Sequence, residues 1–280
     1  MTQPPARSPK FPLRLNAVDA AARMAKAATT VQRPQRPVVR AHAHAHAHRD
    51  AARRPPPDGL GMDSDDVRKR MAQRLRALGV VNEAVLAAMA RVPRHRFVDT
   101  ALVTQAYEDT SLPIGHGQTI SKPSMVARMV ELLFGGVNAR RAGHLGRVLE
   151  VGTGCGYQAA VLAALAQHVV SVERLKPLHD KARELLAPLR PAHLRLVYGD
   201  GMLGHPPNAP YDSIIAAAGG DALPPAWLDQ LAVGGRLVSP VRRAGTQQQV
   251  LVVVDRTEHG CEHTVFEAVN FVPLRSGLGA

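Results

Sequence analysis

The run Arg147-Val148-Leu149-Glu150-Val151-Gly152-Thr153-Gly154-Cys155-Gly156-Tyr157 joins an apolar, β-branched stretch to three glycines spaced two apart. A second apolar stretch, Val169 to Glu173, ends in a carboxylate 19 residues beyond Gly154. This order reads as a nucleotide-binding βαβ unit. Glycines at 152, 154 and 156 permit positive φ and let a ligand lie against bare backbone. The helix that follows presents unpaired N–H groups. Glu173, at the carboxyl edge of its strand, can accept both hydroxyls of a ribose. A third piece is Gly199-Asp200-Gly201, where Asp200 can accept from an adenine amino group and the Gly201 N–H can face the ring. The same Asp-Gly pair is also an ordinary turn.

The glycines run G-x-G-x-G behind Glu150, not the G-x-G-x-x-G of a dinucleotide site. The form resembles the first motif of S-adenosylmethionine-dependent methyltransferases, whose cofactor has no pyrophosphate to cradle. That resemblance implies a loop of Glu150, Gly152, Thr153, Gly154 and Gly156 around the methionine portion and sugar. Cys155, inside the loop, reads as a small residue beside a ligand rather than a nucleophile.

These pieces need a scaffold. Strands are expected at 147–151, 168–173, 194–198 and 211–217, with helices at 157–166, 177–189 and 225–231 between or after them. Such alternation predicts an α/β fold with a doubly wound, mostly parallel sheet. From Gly234-Gly235 the pattern changes to strands 236–241, 249–255 and 264–272 without intervening helices, so the sheet should finish antiparallel. Upstream, helices are expected from Ser64, with Val67, Met71, Leu75 and Leu78 on one stripe, and over 83–91. Residues 95–117 read as loop and short helices. Pro123 starts a helix whose buried face is Met125, Val126, Met129, Val130 and Leu133.

The chain has 280 residues, 45% of them apolar, but its character changes near residue 62. The first 62 residues hold 11 Lys or Arg against 3 Asp, and so carry +8 of the +12 net charge, with 9 of the 22 prolines. They also contain the alternation Ala41 to His48, which could bind a transition metal adventitiously but defines no site. We read 1–62 as a solvated basic extension and 63–280 as one domain, with helices and a substrate loop at 63–135 and the Rossmann-like core at 147–280. No secretory h-region and no run near 18 apolar residues is present. The two cysteines, Cys155 and Cys261, fit a reducing cytosol, and the expected location is cytoplasmic.

The segment Tyr107-Glu108-Asp109-Thr110-Ser111-Leu112-Pro113-Ile114-Gly115-His116-Gly117-Gln118-Thr119-Ile120-Ser121-Lys122-Pro123 closely resembles the substrate loop of protein-L-isoaspartate O-methyltransferases. Arg91 to Val98, Leu149 to Gln158 and Val269 to Leu274 extend the resemblance over about residues 64–276. It implies a class I methyltransferase that moves a methyl group from S-adenosylmethionine to the α-carboxylate of L-isoaspartyl residues in damaged proteins, acting as a monomer. It further implies that Ser121 donates to the substrate carboxylate, that Thr119 and Ile120 shape the loop around the cofactor, and that Gln249 lies near the cofactor. A serine before a helix is also a common N-cap. Departures from the family pattern are Lys122, Ala216 and the pair Gly219-Gly220.

Two other readings compete. One keeps the cofactor with a small-molecule or RNA acceptor; the stretch Ala216-Ala217-Ala218-Gly219 lacks the Asn/Asp-Pro-Pro-Tyr type of motif an amino acceptor calls for. The other is a protein whose basic tail binds nucleic acid or an acidic partner, but interleaved aromatics and a nucleic-acid module are missing.

Overall fold

The computed structural model describes residues 65–279. The N-terminal extension, its histidine repeat and the boundary at 62 lie outside the described residues. Two helices, α1 (Asp65–Ala77) and α2 (Glu83–Arg91), come first. Met71 and Leu75 are buried on α1, whereas Leu78, placed on the same stripe by spacing, falls beyond the helix end and is 62% exposed. The Asn82 side chain caps α2 by accepting from the Val85 N–H.

The span read as loop holds a two-stranded hairpin instead, β1 (Leu112–Gly115) and β2 (Gln118–Ile120). His116 and Gly117 form its turn, and both have positive φ. That is the geometry of tight hairpin loops, and His116 is one of two non-glycine residues with positive φ among the described residues. Helix α3 (Pro123–Phe134) follows, with Pro123 in its first turn and Val126, Met129, Val130 and Leu133 fully buried. A short α4 (Val137–Ala142), which the spacing of apolar residues does not announce, leads into the core.

The core alternates β3 (Arg147–Val151), α5 (Tyr157–Ala163), β4 (His168–Glu173), α6 (Lys176–Leu186), β5 (Leu194–Tyr198), β6 (Tyr211–Ala216), α7 (Pro225–Gln230), β7 (Leu231–Arg242), β8 (Gln249–Thr257) and β9 (Gly260–Val269). The seven strands run in the order β5-β4-β3-β6-β7-β8-β9. Pairings from β5 to β7 are parallel, and those of β7 with β8 and β8 with β9 are antiparallel. β3, β4 and β6 are buried over almost their whole length, as expected for strands covered on both faces. The order reverses between β3 and β6, which is where an open α/β sheet leaves a crevice at the carboxyl ends of its strands.

Two hydrophobic clusters sandwich the sheet. One joins α1, α2, α3 and α5; the other centres on Trp227, wholly buried, whose indole N–H donates to the Gly201 carbonyl at 2.8 Å. The chain after β9 returns to the sheet. Gly219 accepts this return: its N–H donates to Val272 at 2.9 Å, and Leu274 N–H donates back to it at 2.8 Å, while the Gly220 carbonyl accepts from Arg242 of β7. The departure from the family pattern at Gly219 has a steric reason, since a Cβ there would stand 2.6 Å from the Gln249 amide.

Candidate active site

A cleft of about 350 Å³ opens at the carboxyl ends of β3 and β4. The glycine loop forms its floor. Gly152, Gly154 and Gly156 have φ of 92°, 56° and 91°, conformations that side chains resist. At Gly156 a Cβ would also lie 2.8 Å from the tip of Leu186, which would have to shift to admit it.

Glu173 stands across from the loop and is 5% exposed. Its two oxygens are each engaged: Oε2 accepts from Gly154 N–H and Oε1 from Leu175 N–H, both at 2.9 Å. The carboxylate therefore fixes the loop from the side and still has lone pairs facing the cleft. Thr153 lines the cleft, and its hydroxyl meets Ser171 at 2.5 Å. Ser171 in turn donates to Glu150 at 2.5 Å.

Glu150 itself does not line the cleft. It is fully buried behind the loop, and burial pushes its pKa up to about 8, against Ser171 and Gln158, which favour the anion, and with Glu173, which disfavours it. At neutral pH Glu150 is mostly protonated. Between the unfolded value near 4.3 and about 8, the native protein holds a proton that the unfolded chain has released. Its contribution to stability is thus complete below about 4.3, falls by roughly 1.4 kcal/mol per pH unit as pH rises through that window, and levels off above about 8. Glu150→Gln removes this slope. Melting curves from pH 5 to pH 8 should show the variant gaining on the wild type with every unit; a constant difference would mean that Glu150 is ionised throughout.

The hairpin and α3 supply the opposite wall. Thr119, Ile120 and Ser121 line the cleft together with Ile114 and His116. Ser121 is not the cap of α3. Lys122 occupies the N-cap position without a side-chain bond, and Asp109 reaches across to accept from the Ser124 N–H and hydroxyl, both at 2.8 Å. Asp109 thus does the capping from outside the helix, which leaves the Ser121 hydroxyl uncommitted. Ser121 also lines a second cavity of about 420 Å³ that shares Thr119, Ala217 and Val272 with the cleft and continues past Lys122, Met125 and Asn270.

Like Glu150, and like Gly156 at the end of the loop, two further residues expected at the cofactor do not line the cleft. Gln249 is behind the wall: its amide accepts from Phe271 N–H at 2.7 Å and donates to the Phe271 carbonyl at 3.2 Å. It thereby satisfies both main-chain groups of a residue just beyond the end of β9. Asp200 likewise does not line the cleft, although Gly201 does. Its carboxylate accepts from Met202 N–H, Ser276 Oγ and Gly277 N–H at 2.9, 2.8 and 2.6 Å. Burial raises its pKa, but these hydrogen bonds outweigh burial and the net displacement is downward. Asp200 thus anchors a segment that sequence reasoning did not assign to the site. Pro273, Leu274 and Arg275 close the cleft, and the same strand of chain continues to Gly279, whose N–H donates to Arg174 at 2.8 Å.

A family model described as Protein-L-isoaspartate(D-aspartate) O-methyltransferase (PCMT) matches residues 66–279. The chain belongs to this family. A protein-L-isoaspartate O-methyltransferase of Methylibium petroleiphilum is 59% identical over 271 residues, covering 96% of this chain and 97% of the relative. One from Leptothrix cholodnii is 58% identical, covering 99% and 96%. Both alignments run into the N-terminal extension, which the family model does not reach. A solved protein-L-isoaspartate O-methyltransferase superposes with TM-score 0.67 at 27% identity, over 76% of this chain and 67% of its own. A Plasmodium falciparum structure, described as a putative form of that enzyme in complex with S-adenosyl-L-homocysteine, gives TM-score 0.64 at 24% identity, over 74% and 98%, and supports the fold. The class I methyltransferase fold that the resemblance implied is the one found.

Proposed function

We propose that the protein is a protein-L-isoaspartate O-methyltransferase which methylates the α-carboxylate of L-isoaspartyl residues in damaged proteins and so begins their repair. One observation carries this reading most directly. Ser121, uncommitted because Asp109 takes over the helix cap, faces both the glycine-loop cleft and the adjoining cavity.

The cleft's residues fit S-adenosylmethionine. Gly201 is a point of close approach, since a Cβ there would meet Val151 at 2.5 Å. Ile120, Leu175, Leu178 and Leu274 offer apolar walls for a purine, and Glu173 offers acceptors for ribose hydroxyls. The N–H groups at 152–154 are engaged by Val172 and Glu173 and the Thr153 hydroxyl by Ser171, so the loop offers the amino-acid portion its carbonyls, which suit an ammonium group. Glu150 acts through the loop, by way of Ser171 and Thr153, and Gln249 and Asp200 act by holding Phe271 and the Ser276-Gly277 segment. When bound, S-adenosylmethionine supplies a methyl group activated by sulfonium, with a neutral thioether as leaving group.

The protein's own task is positional. An isoaspartyl α-carboxylate is ionised at neutral pH and is itself the nucleophile, so no side chain has to remove a proton. Neither His116 nor Glu150 is needed as a base. Ser121 donates one hydrogen bond, enough to orient the carboxylate without quenching it, and the shared wall of the two cavities brings acceptor and donor together. The second cavity is lined largely by side chains of modest size and by the main chain after β9, which suits a peptide read through its backbone. The two free cysteines, Cys155 and Cys261, support a cytoplasmic location. No helix of the described residues is long and apolar enough to cross a membrane.

The test is transfer of labelled methyl from S-adenosylmethionine to an isoaspartyl peptide and to its aspartyl twin. We expect base-labile label on the first alone. Equal labelling of both, or of neither while the cofactor still binds, would point to another acceptor.

A further inference from the structure

Far from the cleft, at the amino ends of the parallel strands, a separate concavity of about 450 Å³ is lined by two arginines and two histidines. β3 begins at Arg147 and β4 at His168, and the two are partners in the parallel register. His193, whose carbonyl accepts from Val169 N–H at 2.8 Å, immediately precedes β5, and Arg195 is the second residue of that strand. All four side chains are exposed. Arg147 pairs with His168 and Val169 with Leu194, so His193 stands beside His168 in the next strand, and Arg195 lies two residues further along β5 on the same face.

Nothing acidic lines the concavity. Neither guanidinium forms an ion pair with a carboxylate of the described residues. Asp212 is adjacent in sequence to Tyr211, but its oxygens are used by Asn138 Nδ2 and Arg147 N–H, both at 2.9 Å. Arg147 and Arg195 line the concavity together with Tyr211, whose phenol burial pushes up to about 12 against the opposing pull of both arginines. The rings of His168 and His193 meet edge to face with centroids 5.6 Å apart, which fixes their direction at the rim.

We propose that this concavity at the amino ends of β3, β4 and β5 is an anion site for a small phosphate-bearing ligand, held between Arg147 and Arg195. Guanidinium forks match phosphate oxygens in pairs, and two of them call for more charge than one carboxylate carries. The volume accommodates a diphosphate. The site is independent of methyl transfer, because none of its residues lines the cleft.

The test is calorimetric titration of the full chain with inorganic pyrophosphate at fixed salt. Wild type should bind one equivalent saturably, and Arg147→Ser/Arg195→Ser should weaken binding at least tenfold while S-adenosylhomocysteine affinity stays the same. The double variant keeps the basic N-terminal extension, so binding that survives in it would place the anion there and overturn the proposal. Displacement of pyrophosphate by saturating S-adenosylhomocysteine would place it in the cleft and equally overturn the proposal, as would a wild type that does not bind. Arg195→Ser alone, on the edge strand, should give an intermediate loss and keeps the test valid if the double variant does not fold.

Discussion

Glu173→Gln should weaken S-adenosylhomocysteine binding about a hundredfold, roughly 2.7 kcal/mol, while the protein stays folded. The size of the effect comes from what the carboxylate already holds. Each oxygen accepts one backbone N–H, from Gly154 on one side and Leu175 on the other. A glutamine has one acceptor oxygen, so its NH₂ must face one of those donors. Either the glycine loop loses its lateral anchor or the turn into α6 does. The ligand's ribose hydroxyls then lose a charged acceptor as well, and hydrogen bonds to charged groups contribute about 1.5–3 kcal/mol each. Titration calorimetry decides the matter. A loss under threefold would mean that the ribose is held elsewhere and that Glu173 serves the loop alone.

Ser121→Ala should lower kcat/KM for an isoaspartyl peptide between ~10-fold and ~100-fold, with cofactor affinity changed less than twofold. One hydrogen bond to an ionised carboxylate accounts for that range. The cap of α3 is not at stake, because Asp109 provides it, so the melting temperature should hold. A variant that loses stability instead of activity would return Ser121 to a structural role. A fall in kcat at unchanged KM would say that the hydroxyl acts mainly on orientation in the transition state.

The parts of this site that the sequence made legible are those whose local chemistry is self-sufficient. A β-branched run into spaced glycines has few other uses, and an acid at the end of the next strand follows from the geometry of a βαβ unit. Strands β3 to β6 lie within a residue of their expected bounds for this reason. The hairpin of β1 and β2 was hidden because it is short and contains Pro113, which argues against a strand, while its turn uses a left-handed His116 in place of the usual Asn. Gln249 and Asp200 illustrate a different limit. Their types and positions suit a ligand, but in each case main-chain donors brought from 22 and 77 residues away take the side chain first. Which partner reaches such a group is a property of the tertiary path, and neither spacing nor periodicity encodes it. The closing segment from Pro273 to Gly279 has no periodic pattern at all, and it becomes a wall because Gly219 and Asp200 receive it.

The wall shared by the two cavities also bears on inhibition. Because Thr119, Ser121, Ala217 and Val272 border both, a single molecule joining an adenosyl group to an isoaspartyl peptide through a short tether could occupy both at once. The second half would bind as if present at an effective concentration set by the tether, and the loss of translational freedom would be incurred once. Such a bivalent compound should bind more tightly than either half alone, and its selectivity would come from the peptide side, where Lys122 distinguishes this chain from the usual family pattern.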